Sequence, residues 1–232
     1  MTQSNAARQS PSSPRPEGDL PPSLVARDLE CVRDDRVLFT RLSFELRSGG
    51  ILQLEGPNGS GKTSLLRILC GLRLPDAGEI LWCGESTSDL AGEFHRDIAY
   101  VGHLAGIKRE LTPLENLRVT IGLGRPRDGV DLEQALDEVG LYGFEDVPVR
   151  NLSAGQTRRV ALARLLVARA KLWVLDEPFT ALDRKGVAYV ERLLERHTAE
   201  GGLIALTTHH TVNVSDTQVQ ILNLSEPRFR PE

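Results

Sequence analysis

Three short motifs constrain the fold of this chain more than any other feature of its sequence. The glycine-rich loop Gly56–Thr63 (GPNGSGKT) follows an apolar segment and precedes a helical pattern of leucines. The pentapeptide Leu152–Gln156 (LSAGQ) precedes a second helical pattern, and the pair Asp176-Glu177 ends a continuous apolar run. A glycine-rich loop between a strand and a helix, together with apolar runs that suit strands buried on both faces, predicts an α/β core with a parallel sheet.

The first motif has the pattern of a phosphate-binding loop. Gly56 and Gly61 let the backbone turn closely around phosphate oxygens, and backbone N–H groups at the start of the following helix supply positive potential. We expect Lys62 to reach the β- and γ-phosphates and Thr63 to place its hydroxyl on Mg²⁺. The alternative is an accidental glycine-rich turn, which the flanking strand and helix disfavour. The nucleotide-binding residues predicted here are Gly56, Pro57, Asn58, Gly59, Ser60, Gly61, Lys62, Thr63 and Ser64.

The carboxylate pair lies at the end of the predicted strand Leu172–Leu175. Asp176 in this position can hold the magnesium shell, and Glu177 beside it can lie near an attacking water. Pro178 then forces the chain out of the strand. An acidic turn that merely ends a strand is the alternative, and the phosphate loop upstream favours the metal-binding interpretation.

The three motifs together resemble those of the ATP-binding cassette ATPases, and the resemblance covers about residues 24–224. In that family two copies of the cassette close on two ATP molecules. The resemblance implies a RecA-like α/β core, a small antiparallel β subdomain and an inserted helical subdomain. It also implies that Glu177 polarises the water that attacks the γ-phosphate, and that the chain hydrolyses ATP with Mg²⁺ as a homodimer.

The second motif is difficult to explain inside a single copy. Ser153 suits a helix N-cap, but Gly155 and the open helix end form an anion site with no obvious ligand in the same chain. The family resemblance supplies one, because this motif contacts the γ-phosphate of the ATP held by the partner copy. The residues assigned to that contact are Ser153, Gly155 and Gln156.

Two further site residues are assigned by the same resemblance. Asp183 ends Ala181-Leu182-Asp183, which resembles the loop that crosses the dimer seam; without the family it would be interpreted as a helix cap. His209 ends a Thr-Thr-His sequence after an apolar strand and matches the histidine that contacts the γ-phosphate. His210 is the competing residue, but His209 fits the spacing better.

Two positions depart from the family pattern. His103 follows the predicted strand Ile98–Val101, where most cassettes have a glutamine, and it is assigned to nucleotide binding and, with Thr63 and Asp176, to the metal site. The charge of a histidine depends on pH. Arg33 stands where an aromatic residue commonly stacks on adenine. A guanidinium can stack on a base, and a merely exposed arginine is the alternative.

The stretch Gly102–Leu117 narrows the family. Its pattern, G-H-x-x-G-I-K-x-E-L-T-x-x-E-N-L, resembles the ATP-binding subunit of the cytochrome c maturation system, the CcmA family. The resemblance implies integral membrane partners of the CcmB and CcmC type, coupling to haem export or to release of a haem-loaded chaperone, and a peripheral position on the cytoplasmic face of the inner membrane. We expect residues 103–117 to dock a membrane subunit through Ile107, Leu111 and Leu114; the alternative is that these side chains pack only within the helical subdomain.

Composition limits the other classes of function. The chain has 232 residues and a net charge of −4, which disfavours general electrostatic binding of nucleic acid. No apolar run is long enough to span a bilayer, so membrane contact is expected through partner chains. The alternatives are the ATPase of another small exporter, a soluble cassette acting on ribosomes or DNA, and a scaffold without hydrolysis. Intact Lys62, Asp176 and Glu177 disfavour the last.

The predicted organisation has three parts. They are a disordered N-terminal tail (1–23), an ABC ATPase domain (24–224) with a helical subdomain at about 103–150, and a C-terminal tail (225–232). The predicted strands are Leu24–Val32, Ser43–Leu46, Ile51–Glu55, Glu79–Trp82, Ile98–Val101, Leu172–Leu175, Leu203–Thr207 and Val219–Leu224. The predicted helices are Thr63–Leu72, a helix with an Asp131–Gln134 capping box and an apolar face of Leu132, Ala135, Leu136 and Val139, a helix that starts at Ser153 and includes Val160–Ala170, and Gly186–Thr198.

Overall fold

The computed structural model describes residues 21–90, 92–103, 106–215 and 217–225. Its strands are β1 (Ser23–Arg33), β2 (Arg36–Arg47), β3 (Gly50–Glu55), β4 (Ala77–Trp82), β5 (Glu85–Ser86), β6 (Ile98–Val101), β7 (Leu172–Asp176), β8 (Leu203–Thr207) and β9 (Gln218–Asn223). Its helices are α1 (Lys62–Leu69), α2 (Thr87–Leu90), α3 (Gly92–Arg96), α4 (Pro113–Leu123), α5 (Leu132–Glu138), α6 (Ala154–Val167) and α7 (Arg184–Ala199), with a 3₁₀ turn at Val149–Asn151. Residues 1–20 and 226–232 of the two predicted tails lie outside the described residues.

The strands form two sheets. One is antiparallel with the order β2-β1-β4-β5, and the other is parallel with the order β6-β7-β8-β3-β9. Every residue of β7 and β8 is buried, as expected of apolar strands in a sheet that is covered on both faces. Within the part of the chain that the structure describes, no helix has both the length and the apolar character needed to cross a bilayer.

The parallel sheet separates two apolar clusters. Leu172 and Val174 of β7 belong to the first, which also contains residues of α1 and of the antiparallel sheet. Trp173 and Leu175 belong to the second, which contains residues of α4, α5, α6 and α7. This alternation is the two-residue period of a β-strand. The two clusters therefore fix the sheet from both sides.

The parallel direction of the strands determines where the predicted site residues meet. The chain leaves β3, β6, β7 and β8 at the same edge of the sheet, because each pairs in parallel with its neighbour. The segments at this edge carry the phosphate loop, His103, Asp176-Glu177 and His209. In open α/β sheets this edge, at the carboxyl ends of the strands, is where ligands bind.

Helices α4 and α5 lie in the segment predicted to be a helical subdomain, and they pack against each other and against α6, which follows that segment. Thr112 starts α4 with a capping box, in which its hydroxyl accepts the N–H of Glu115 and the Glu115 carboxylate accepts the N–H of Thr112. The buried Asn116 side chain accepts the N–H of Lys108 at 2.9 Å and donates to the carbonyl of Lys108 at 3.0 Å. The segment before α4 is thereby tied to the helix that follows it. The subdomain's bounds stay a prediction.

The apolar residues predicted to dock a partner are only partly available. Leu114 is buried in the second apolar cluster, and Ile107 packs against that cluster. Leu111 is half-buried. The structure therefore agrees with the alternative interpretation, internal packing, for Leu114 and in part for Ile107.

Helix α1 is shorter than the sequence pattern predicts. It ends at Leu69, and Gly71 turns the chain with φ of 67°. The carbonyl of Arg67 accepts the N–H of Leu72 at 2.9 Å, which closes the helix end. Leu72, which the leucine spacing placed inside the helix, is 60% exposed. Strand β5 and helices α2 and α3 were not predicted, because each is too short to give a periodic pattern.

One buried histidine makes the stability of this fold depend on pH. His197 of α7 stacks on Trp173 of β7, with ring centroids 3.8 Å apart and planes 5° apart. Burial lowers the pKa of His197 from its ordinary 6.5 to about 4. The folded chain therefore excludes a proton that the unfolded chain binds between these values.

We predict that the chain loses stability as the pH falls from about 6.5 to 4 and that His197→Gln removes much of this loss. Each pKa unit is worth about 1.4 kcal/mol, so the loss attributable to His197 is on the order of 3 kcal/mol. Urea unfolding of both proteins at several pH values in this window measures it. Parallel pH profiles for the wild type and the variant would contradict the assignment.

Candidate active site

A cavity of about 680 Å³ opens at the carboxyl edge of the parallel sheet. It lies against the loop after β3 and receives side chains from the segments after β6, β7 and β8. Asp34, Arg36, Leu38 and Thr180 also line it. The predicted site residues that line this cavity are Arg33, Asn58, Gly59, Gly61, Lys62, Thr63, Ser64, His103, Asp176, Glu177 and His209.

The phosphate loop has the backbone geometry that its glycines predict. Gly61, the N-cap of α1, has φ of 103°, and a Cβ there would lie 3.1 Å from atoms of Leu38 and Phe39. Lys62 donates from Nζ to the carbonyl oxygens of Gly56 at 2.6 Å and Pro57 at 3.1 Å, so its ammonium lies over the loop. No acidic residue lies in the first turn of α1. This helix end therefore offers N–H groups and positive potential to an anion.

Two groups whose oxygens could bind a metal ion, the Thr63 hydroxyl and the Asp176 carboxylate, lie side by side in the cavity. The Thr63 hydroxyl donates to Asp176 Oδ2 at 3.1 Å, and the Thr207 hydroxyl donates to Asp176 Oδ1 at 2.7 Å. Asp176 is 4% exposed. A hydroxyl and a carboxylate suit Mg²⁺, which prefers oxygen ligands and takes the rest of its shell from water and substrate phosphates. The donor set therefore fits the predicted metal. His103 lines the same cavity, and its role as a metal ligand stays a prediction.

Glu177 is held in an unusual backbone conformation. Its φ is 52°, in the left-handed region that residues with side chains rarely adopt. Its N–H donates to the carbonyl and to the hydroxyl oxygen of Thr207, both at 3.1 Å. Its carboxylate Oε1 lies 3.5 Å from Nε2 of His209. The strand end thus points two carboxylates into one cavity, one beside Thr63 and one beside His209.

The two candidate histidines lie in different surroundings. His209 is largely exposed and lines the cavity. The ring of His210 packs on Phe179 with centroids 4.8 Å apart, and its Nε2 lies 3.4 Å from Oε1 of Glu191 on α7. Of the two, His209 is the one placed to meet a ligand in the cavity.

The Leu152–Gln156 motif lies outside this cavity, and its residues have contacts within the chain. The Ser153 hydroxyl accepts the N–H of Gln156 at 3.2 Å, and the Gln156 side chain accepts the N–H of Ser153 at 2.9 Å. A Cβ on Gly155 would lie 2.7 Å from the Ala181 carbonyl oxygen. A capping box and a close backbone approach therefore explain part of a motif that is difficult to explain from the sequence of one copy.

Asp183 also has a role within the chain. Its carboxylate caps α7 by accepting the N–H of Gly186 at 2.9 Å, and it accepts a hydrogen bond from Arg159 at 2.8 Å. The hydrogen bond from Gly186, with help from Arg159, lowers the pKa of Asp183. The helix-cap interpretation therefore describes Asp183 in the single chain.

Arg33 lines the cavity wall with most of its side chain exposed. Its Nε lies 3.5 Å from Oδ2 of Asp34 in the turn between β1 and β2. Stacking of Arg33 on a base stays a prediction.

Arg158, a buried arginine that contacts the site from behind, was not predicted from the sequence. It lies on α6, and its guanidinium donates to carbonyl oxygens of the segments that follow β6 and β7. In the sequence Arg158 stands between Thr157 and Arg159, among the polar residues at the start of α6, so no local pattern marks it as buried. Its acceptors are backbone carbonyls, which every residue has, so the sequence does not identify them.

A family model described as "ABC transporter" matches residues 39–180, more than half of the chain. The chain belongs to the ABC transporter family. This cassette is 49% identical to the cytochrome c biogenesis ATP-binding export protein CcmA of Nitrosospira multiformis, over 88% of the chain and 100% of that protein. It is 48% identical to the Escherichia coli K12 protein of the same name, over 88% of the chain and 98% of that protein. For the Methylococcus capsulatus protein of that name the identity is 51%, over 87% and 98%.

Solved structures show the same architecture. An ABC transporter ATP-binding protein from Pyrococcus furiosus has a TM-score of 0.73 and 25% identity, over 87% of the cassette and 97% of that chain. The dimeric structure of a bacterial ABC transporter cassette also has a TM-score of 0.73 and 25% identity, over 87% and 94%. The family resemblance inferred from the motifs and the predicted α/β fold are confirmed, and the chain is an ABC-type ATPase.

Proposed function

We propose that this cassette is the Mg-ATP-hydrolysing subunit of a membrane complex for cytochrome c biogenesis, coupled to haem export or to release of a haem-loaded chaperone. The observation that carries the ATPase site is the single cavity shared by Lys62, Thr63, Asp176, Glu177 and His209. The biological assignment is supported by 48–51% identity to relatives named for that system, over nearly their whole length.

The residues divide the chemistry between binding and hydrolysis. Lys62 and the N–H groups at the start of α1 bind the β- and γ-phosphates. Mg²⁺ would be held by Thr63 and Asp176, where it would neutralise charge on the phosphate oxygens. Glu177 orients the attacking water and accepts its proton, and His209, 3.5 Å from Glu177, donates toward the γ-phosphate. Catalysis is then mostly positioning and electrostatic stabilisation.

A second copy of the chain would complete the ATP site. Ser153 is exposed at the start of α6, outside the cavity of its own chain. A head-to-tail homodimer would place Ser153, Gly155 and Gln156 against the ATP of the partner copy, with Asp183 near the seam. Its support is the open N-terminus of α6, where Ser153 caps one N–H and other N–H groups stay available to an anion.

A membrane partner would dock in a groove on the surface of the cassette. A groove of about 290 Å³ lies between the edge strand β6 and helices α4 and α6. Its wall includes Leu123, which is 86% exposed. No carboxylate of the described residues lines it, although the whole chain has a net charge of −4. The cations that line it include Arg96, Lys108, Arg125 and Arg169. We therefore propose that an integral membrane subunit of the CcmB or CcmC type docks here through an acidic, amphipathic segment, which holds the cassette at the cytoplasmic face of the inner membrane.

Binding and hydrolysis should be separable by mutation. Glu177→Gln should retain ATP but lower kcat by about 100-fold or more, because the water loses its acceptor while the phosphate loop is intact. Lys62→Ala should weaken ATP binding itself. Steady-state ATPase assays and titration with a fluorescent ATP analogue measure the two effects. Glu79→Gln, on the exposed face of β4, serves as the control, and hydrolysis by Glu177→Gln at the wild-type rate would disprove the assigned role.

The composite site can be tested by mixing two chains, each with an impaired site residue. Ser153→Asp preserves a good N-cap but places negative charge against the partner's γ-phosphate, so it should lower ATPase activity, whereas the neutral Ser153→Asn should be milder. Mixed with Lys62→Ala chains, it forms heterodimers in which one site carries both changes and the other carries neither. Activity in the mixture should exceed that of either variant alone. Full activity of Ser153→Asp by itself would contradict the shared site.

Docking can be tested by reversing the charge of the groove. Lys108→Glu combined with Arg125→Glu should reduce co-purification of the membrane subunits, because it removes charge complementarity. ATPase activity of the isolated cassette should change little. Arg192→Glu, an exposed change on α7 outside the groove, is the matched control. Undiminished recovery of the membrane subunits with the double variant would rule the groove out.

A further inference from the structure

Arg158 is a buried charged side chain at the carboxyl edge of the parallel sheet. It is 6% exposed, and burial lowers its pKa. A guanidinium has five N–H donors and no acceptor, and a buried charge is tolerated only when its hydrogen bonds are made. Nη1 donates to the Gly102 carbonyl at 3.0 Å. Nη2 donates to the carbonyls of Asp176 at 2.8 Å and Glu177 at 2.6 Å, and Nε to that of Pro178 at 3.3 Å.

Three of these acceptors surround the peptide units of Glu177. That residue has its unfavourable left-handed φ of 52°, so its conformation requires outside support. Thr207 holds the N–H side of the residue, through two contacts of 3.1 Å. Arg158 donates to the Glu177 carbonyl and to the neighbouring carbonyls of Asp176 and Pro178. The direction of the Glu177 side chain is therefore set by contacts to its backbone from two other elements.

The fourth acceptor connects a different loop. Gly102 immediately precedes His103, which lines the same cavity as Glu177. One planar guanidinium therefore fixes the segment after β6 relative to the segment after β7. Its own helix, α6, begins directly after Ser153, so the same side chain also joins the Ser153–Gln156 turn to the catalytic loop of its own chain.

We propose that Arg158 is a positioning residue of the ATPase site, which holds Glu177 in its hydrolytic orientation through the backbone and ties it to His103 and to the Ser153–Gln156 turn. This inference rests on the proposed role of Glu177. Arg158 contacts neither the phosphate loop nor the cavity in the described structure. Its loss should therefore affect hydrolysis and leave nucleotide binding intact.

The test compares Arg158→Gln and Arg158→Lys in the full-length chain. Arg158→Gln should lower kcat by roughly 100-fold, the effect expected when a catalytic group is displaced by about 1 Å, while KM and the affinity for a fluorescent ATP analogue stay close to wild type. Lysine keeps the charge but lacks the planar fork, so Arg158→Lys should recover part of kcat. Thermal unfolding of each variant sets a temperature at which all chains are folded, and rates are compared there.

Arg164→Gln is the matched control. Arg164 lies on the same helix, burial also lowers its pKa, and it donates to the Thr120 hydroxyl at 3.0 Å. Its removal should reduce stability to a similar degree but leave kcat near wild type. A fall in kcat that follows stability equally in both variants would overturn the positioning role.

A double variant tests whether Arg158 acts through Glu177. In a Glu177→Gln background, Arg158→Gln should cause little further loss of hydrolysis, because the group that it positions is already gone. Multiplicative losses would overturn the proposal, and so would a wild-type kcat for Arg158→Gln while Glu177→Gln is inactive. Wild-type hydrolysis by Glu177→Gln alone would instead contradict the proposed function of Glu177, so the two failures are distinguishable.

Discussion

The hydrogen bonds of the Asp176 carboxylate hold the site together. One oxygen accepts from Thr63 on α1, and the other accepts from Thr207 at the end of β8. A carboxylate this deeply buried is stable only when its oxygens are satisfied, so these contacts fix the distances between the phosphate loop, β7 and β8. Thr207 also receives the N–H of Glu177. A single threonine therefore orients both carboxylates of the pair.

The position of the site follows from the way the sheet is covered. The apolar side chains of β7 pack on both faces of the sheet, against α1 on one face and against α4, α5, α6 and α7 on the other. Both faces of such a strand are buried against apolar side chains, so polar side chains are rare on either face. Polar side chains lie instead where the strands end, and the parallel order brings the ends of all five strands to one edge. Helices α4 and α5 pack against α6, which has Ser153 at its exposed start and Arg158 about one turn further on.

The parts of this architecture that the sequence predicts are those written in local patterns. Ile98–Val101 and Leu203–Thr207 have the predicted bounds, because each is a mostly apolar run that begins or ends at a glycine or a polar residue. Lys62 and Asp176 reach one cavity because each lies at a strand-to-loop or loop-to-helix boundary, which the motifs mark. Arg158 could not be placed in this way, since its partners are carbonyl groups from 18 to 56 positions away. The leucine spacing of α1 also continued beyond the helix, because periodicity does not register the reversal at Gly71.

The Leu152–Gln156 motif shows why one set of residues can satisfy two different demands. Within the chain, Ser153 and Gln156 cap each other's N–H groups, and Gly155 allows the Ala181 carbonyl to approach. These contacts keep the start of α6 ordered and hold it against the segment between β7 and α7. A capping box satisfies only some of the N–H groups that a helix leaves open at its start. The turn is thus held in place but still has N–H groups open to an anion. A phosphate site supplied by a second copy would need this rigidity, because a preorganised site loses less conformational entropy when the two copies meet.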